Sequence, residues 1–146
     1  MILLRNPSSI YKDRLQYPRK VYCVDTGLVN LSRFKLKMDW GSVLENAVFI
    51  ELLRRGKEVF YWKDERGTEV DFVELKNMEP VSLIQVCWNP TMETMPREVK
   101  SLLKGMEYFN IKEGIVITRD FSQVKEINEK RIIFKPFWEW ALEKND

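Results

Sequence analysis

The sequence predicts an α/β domain, and three observations carry that prediction. The run VLENAVFIELLRRG has apolar residues at 43, 44, 47, 48, 49, 50, 52 and 53, around most of a helical circumference, so it reads as a largely buried helix. Three β-rich runs follow, EVFYWK, TEVDFVEL and VSLIQVCW, separated by turn residues. An amphipathic segment, REVKSLLKGMEYF, then leads into the continuous apolar run Gly114–Thr118, the pattern of a central strand. The order is helix, strand, strand, strand, helix, strand. At 146 residues the chain is the size of one ordinary domain.

Each element has a local reason. Residues 1–20 form an N-terminal arm or linker ahead of a domain at 21–146. Asn6-Pro7-Ser8-Ser9 is a turn signal, followed by a basic, tyrosine-containing stretch (Tyr11, Lys12, Arg14, Tyr17, Arg19, Lys20). That stretch is either a solvated linker or a phosphate-contacting arm. Val21–Val24 is a short β-rich run closed by Asp25-Thr26-Gly27. Ser42 with Glu45 three residues on has capping-box spacing and opens the buried helix, which Gly56 ends. Glu45 therefore has two readings, a cap partner or a carboxylate directed at the sheet and available to a metal. Asp64-Glu65-Arg66-Gly67 joins the first two strands as a hairpin, and Asn77–Pro80 turns the chain into the third. In the second helix Val99, Leu102, Leu103, Met106 and Phe109 share a face, leaving Arg97, Lys100 and Lys104 on a solvated one. Arg131–Phe134 is a further strand, and Pro136 opens a closing helix at a tolerated first-turn position. The aromatics Phe137, Trp138 and Trp140 are either a lid on the core or a partner-docking surface, which includes a homodimer.

Composition narrows the chemistry. With 45% hydrophobic and 32% charged residues the chain has the make-up of a globular protein, and a net charge of +2 does not mark a nucleic-acid binder by itself. The chain contains no histidine, which removes serine–histidine triads and histidine metal ligands. Cys23 and Cys87 lack CxxC spacing, so neither a disulfide framework nor a zinc site is expected. No apolar run approaches a membrane span and MILLRNPSS is not a signal peptide, so a cytoplasmic protein without membrane contacts is expected. The chain has no GxxxxGK[ST] stretch, so no nucleotide site is expected in it.

One stretch departs from the apolar pattern. Residues 68–88 place Asp71 on the second strand and Gln85 and Cys87 on the third. Alternation puts Gln85 and Cys87 on one face and Ile84, Val86 and Trp88 on the other. A carboxylate, an amide and a thiol inside a sheet are costly to bury unless paired.

A helix with an internal glutamate, three strands, a helix and a strand, with polar residues on strands two and three, resembles the core of the PD-(D/E)XK nuclease superfamily. The strings KVYCVDTGLVN, ENAVFIELLRRGKEVFYWKDERGTEVDFV, LIQV, REVKSLLKG and PFWEWAL resemble the C-terminal domain of archaeal AAA+-type ATPases, a region also found as a domain of unknown function in prokaryotic ATPases. The resemblance spans nearly all of residues 20–143. It implies a restriction-endonuclease-like core, a mixed β-sheet flanked by helices, and DNA or an ATPase domain as partner. It also implies Asp71 as the motif aspartate, Gln85 in the place of the second acid and Cys87 in the place of the lysine.

That last correspondence sets the functional question. In the nuclease pattern carboxylates hold a divalent cation and a lysine orients or activates the attacking water. Glu45, Asp71 and Gln85 would be the metal ligands, for Mg2+ held weakly because a neutral amide brings no charge. A neutral thiol supplies no fixed positive charge. Catalysis would need a displaced lysine, with Lys76 the first candidate and Lys63, Lys100 and Lys104 the others. Two readings stay open, a degenerate nuclease-like domain acting as a DNA-binding or protein-interaction module, and an active Mg2+- or Mn2+-dependent endonuclease.

Overall fold

The computed structural model of the protein describes residues 2–4, 20–24 and 39–143. The basic stretch through Arg19 and the turn at Asp25-Thr26-Gly27 lie outside these residues. The elements are β1 (Ile2–Leu4), β2 (Lys20–Tyr22), α1 (Trp40–Arg54), β3 (Glu58–Lys63), β4 (Glu69–Lys76), β5 (Glu79–Val86), α2 (Thr94–Tyr108), β6 (Glu113–Thr118), β7 (Gln123–Ile127), β8 (Lys130–Pro136) and α3 (Phe137–Leu142).

The main sheet has six strands in the order β3-β4-β5-β6-β8-β7. Hairpins make β3–β4, β4–β5 and β7–β8 antiparallel. The α2 crossover makes β5–β6 parallel, and β8 returns parallel to β6. The result is the mixed sheet flanked by helices that the sequence implies. Strands β1 and β2 form a separate antiparallel ribbon with Leu3 opposite Val21, so a boundary between residues 20 and 21 falls inside β2.

Two cores lie on the two faces of the sheet. Under α2, Val99, Leu102 and Met106 pack on Trp62, Val70, Leu83, Val116, Ile132 and Phe134. On the other face, Leu44, Val48, Phe49 and Leu52 of α1 and Trp140 of α3 meet Tyr61, Phe72, Ile84 and Ile117. The alternation expected in β5 holds, with Leu83 and Cys87 under α2 and Ile84, Val86 and Trp88 under α1. Helix α2 approaches the sheet closely at Gly105, where a Cβ would stand 2.8 Å from Val70 Cγ2.

Several local expectations change. Helix α1 is capped by Asp39, whose carboxylate accepts from the Ser42 amide at 3.3 Å and from the Ser42 hydroxyl at 2.7 Å. Ser42 is therefore inside the first turn, and Glu45 is not its cap partner. Gly56 does follow the helix, with φ of 68°. The turn into β5 is Asn77-Met78, both with positive φ, and Pro80 already belongs to the strand. Pro136 is the last residue of β8 and the cap of α3 rather than its first residue. Strand β7, joined to β8 through Asn128-Glu129, is an addition to the expected order.

Candidate functional site

The site begins with a defect in a strand. Phe60 pairs with Val73 and Trp62 with Val70, so Tyr61 alone stands opposite Asp71 and Phe72. The bulge lets Val70 and Val73 both face α2 while Phe72 enters the core under α1. Asp71, buried to 8% exposure, faces the end of the sheet where α1 and α2 begin, as Glu69 two residues earlier does. Its Oδ2 accepts from the Val86 amide at 2.9 Å, and its own amide donates to Gln85 Oε1 at 3.2 Å.

Lys20 meets this carboxylate from the β1–β2 ribbon. Its Nζ lies 2.8 Å from Asp71 Oδ1, 3.0 Å from Glu45 Oε1 and 2.5 Å from Glu69 Oε1. Tyr22, two residues along the same strand, donates its hydroxyl to Glu45 Oε1 at 2.7 Å and stacks on Phe49 with ring centroids 4.2 Å apart. Asn46, buried in α1, anchors the ribbon by accepting from the Cys23 amide at 2.8 Å and donating to the Cys23 carbonyl at 2.9 Å. On the other side Gln85 Nε2 donates to Glu98 Oε2 at 2.7 Å, and Arg97 holds Glu98 Oε1 at 2.9 Å. Of these groups Glu45, Glu69, Asp71, Gln85, Arg97 and Glu98 line a cleft of about 440 Å³, and Lys20 bridges its carboxylates.

The electrostatics follow from one ammonium among three carboxylates. Burial, and then the neighbouring charge of Glu45, push Asp71 up to about 7, although Lys20 and the Val86 amide pull the other way. Burial works against the Lys20 ammonium, but attraction to Asp71 and Glu45 outweighs it and raises its pKa. Burial and Glu45 also raise the Tyr22 hydroxyl, which stays a donor at neutral pH.

The expected site residues separate into three groups. Glu45, Asp71 and Gln85 come together as expected. Cys87 faces the core beside Val99 and Leu102 rather than the cleft, and burial with Glu98 nearby pushes its thiol up. Of the lysines considered, Lys76 is exposed at the far end of β4, Lys100 is exposed on α2, and Lys104 bonds Thr68 Oγ1 at 2.9 Å away from the cleft. Lys63 reaches only Glu69 Oε2, at 3.6 Å. The lysine beside Asp71 is Lys20, which composition placed in a basic arm. Glu69, Tyr22 and Glu98 were also missed. The available signal was alternation, since Lys20 and Tyr22, like Glu69 and Asp71, are two apart on a strand.

As arranged, the donor set does not fit a divalent cation. Glu45 Oε1 is shared between Lys20 and Tyr22, Asp71 Oδ2 is bonded to a backbone amide, and Gln85 Oε1 is spent on the Asp71 amide. Among the described residues no group of three or more Asp, Glu or Cys is arranged to hold a metal ion. The position on which the carboxylates converge belongs to the Lys20 ammonium. A larger depression of about 540 Å³ near Trp62 and Tyr108 sets Asp64, Glu65 and Glu107 against Lys63, Arg66 and Lys104 and buries no carboxylate. No described helix is long and apolar enough to cross a membrane.

Fold and site define a class, an α/β domain whose mixed sheet is covered by helices on both faces and carries an acidic cleft filled by an internal ammonium. By sequence the chain belongs to the DUF4143 family, described as a domain of unknown function, whose model matches residues 40–140. Lys20 and Tyr22 precede the matched residues. An uncharacterised protein of Methanocaldococcus jannaschii is 33% identical over 97% of this chain and 33% of its own length. One of Haemophilus influenzae is 33% identical over 87% of this chain and 30% of its own. The chain thus spans about a third of these relatives. Among solved structures, a chain of the Thermococcus gammatolerans assembly of McrB AAA+ hexamers with bound McrC aligns over 68% of this chain and 28% of that one, at 10% identity and a TM-score of 0.48.

Proposed function

We propose that this chain is a nuclease-like domain that has lost catalysis and serves as a DNA-binding module associated with a prokaryotic AAA+-type ATPase. One observation carries the reading: the ammonium of Lys20 lies within 3.0 Å of Glu45, Glu69 and Asp71, on the point where a PD-(D/E)XK enzyme would need its cation. An acidic cleft without a cation would repel a phosphate backbone. Lys20 offsets part of that charge permanently, with Arg97 exposed at the rim. Association with an ATPase is supported by the resemblance of residues 20–143 to ATPase C-terminal domains.

A second reading, an active Mg2+- or Mn2+-dependent DNA or RNA endonuclease, is favoured by the same lysine, since 2.8 Å from Asp71 is where a displaced catalytic lysine would stand. The deciding experiment is cleavage of single- and double-stranded DNA with Mg2+ and with Mn2+ by the wild type and Asp71→Ala, beside binding measured across a salt series. Binding that weakens with salt, with no cleavage or equal cleavage in both proteins, is the expected result. Cleavage lost in Asp71→Ala would establish the enzyme and overturn the proposal.

A further inference from the structure

Beside the cleft stands an aromatic pair, Trp40 and Trp88, of which Trp88 packs against the core under α1 and Trp40 does not belong to it. Trp40, the first residue of α1, is 47% exposed and stacks on Trp88 with ring centroids 5.2 Å apart and planes 16° from parallel. Trp88 follows β5, and its carbonyl accepts from the Arg119 amide at 3.1 Å at the end of β6. The Arg119 guanidinium lies 5.7 Å from the centre of the Trp88 ring. The platform is thus built at the carboxyl ends of the two adjacent parallel strands β5 and β6, the end of an open α/β sheet where ligands bind.

Its position ties it to the cleft. Asp39, Gly41 and Ser42, which flank Trp40 in sequence, line the cleft, as does Val86, two residues before Trp88. An indole as exposed as Trp40 buries too little to be explained by the apolar core under α1, whose members nearest the helix start are Leu44 and Val48. The Arg119 guanidinium pairs with Asp120 at 2.7 Å, with side chains 50% and 60% exposed. Such an exposed pair contributes little and exchanges readily for a phosphate.

We propose that the Trp40–Trp88 pair is a stacking platform for an unpaired base of single-stranded nucleic acid, with Arg119 taking the adjoining phosphate. A flat, open indole stack flanked by a guanidinium is the combination that sequence-tolerant single-strand binding uses. The base stacks on the outer face of Trp40, and the strand continues past the α1 N-terminus toward Arg97 at the cleft rim. This inference rests on the DNA-binding reading above and adds the class of nucleic acid bound.

The test is fluorescence anisotropy of a labelled twelve-nucleotide oligo(dT), and of a duplex of equal length, in EDTA at low salt. The proteins are the wild type, Trp40→Ala and Trp40→Phe, matched by melting temperature. Base–aromatic stacking is worth about 1–3 kcal/mol, so Trp40→Ala should weaken oligo(dT) binding roughly 5- to 150-fold. Trp40→Phe should recover most of the loss, the duplex should be indifferent to both, and oligo(dT) should quench wild-type tryptophan emission. Binding unchanged in Trp40→Ala, or reduced equally for strand and duplex, would overturn the platform alone. A wild type that binds neither nucleic acid would overturn the DNA-binding reading with it.

Discussion

Replacing Lys20 by methionine keeps most of the length of the side chain and removes the cation that Glu45, Glu69 and Asp71 share. Three carboxylates then face one another, with Tyr22 and the Val86 amide as donors and Lys63 3.6 Å from Glu69 Oε2. Stripping a buried ion pair of one partner costs about 3–5 kcal/mol. Here the Lys20 side chain is 20% exposed and the side chains of Asp71, Glu45 and Glu69 are 12%, 25% and 29% exposed, so water screens part of that cost. A loss of about 2–3 kcal/mol is expected at pH 8, which for a domain of this size lowers Tm by roughly 10 °C. The pH dependence has a definite sign. Asp71, raised to about 7 from a normal 3.8, holds its proton in the folded state where the unfolded chain has released it. Its contribution is therefore present at low pH and is lost as pH rises through 7. Without Lys20 its pKa climbs further, while in the wild type Lys20 stays charged throughout. The stability gap between the two proteins should widen from pH 5.5 to pH 8. Urea unfolding at both values measures it, and 10 mM MgCl2 should restore part of the loss in Lys20→Met while leaving the wild type unchanged. A gap below about 0.5 kcal/mol, or one that is equal at both pH values, would refute the claim that Lys20 neutralises the cluster.

Asn46→Ala removes both hydrogen bonds that hold Cys23 and should cost about 2–3 kcal/mol. Hydrogen exchange should show the Cys23 amide losing protection before those of β4 and β5, and uniform loss would mean that the ribbon is not held locally. Gly105→Ala gains about 1 kcal/mol of helix propensity but drives a methyl to 2.8 Å from Val70 Cγ2 and 3.3 Å from Leu83 Cδ1. Overpacking costs about 1–3 kcal/mol, so a small net loss in thermal unfolding is expected, reversed when combined with Val70→Ala. A stabilised single variant would contradict the close approach of α2.

The sequence by itself determined the elements whose patterns repeat within a few residues. Apolar residues around VLENAVFIELL required a buried helix, alternation assigned Gln85 and Cys87 to one face of β5, and Gly56 and Gly67 marked a helix end and a turn, with φ of 68° and 81°. Asp71 and Gln85 were legible because polar residues in apolar strands are costly unless paired, and that Glu45 joins them was what the nuclease resemblance implied. Strand β7 escaped because its residues are mostly exposed at the sheet edge, where burial imposes no pattern. Tertiary structure alone decided which cation joins the cluster. Lys20 is 51 residues from Asp71, and only its two-residue spacing from Tyr22 sets it apart locally from the basic residues before it. Only the ribbon held by Asn46 and Tyr22 brings it to the carboxylates. The bulge at Asp71 is a second such decision, because one unmatched residue depends on how β3 pairs with β4. Periodicity reports burial along a single element, whereas a charge cluster depends on which elements share an edge, and that is settled only when the sheet forms.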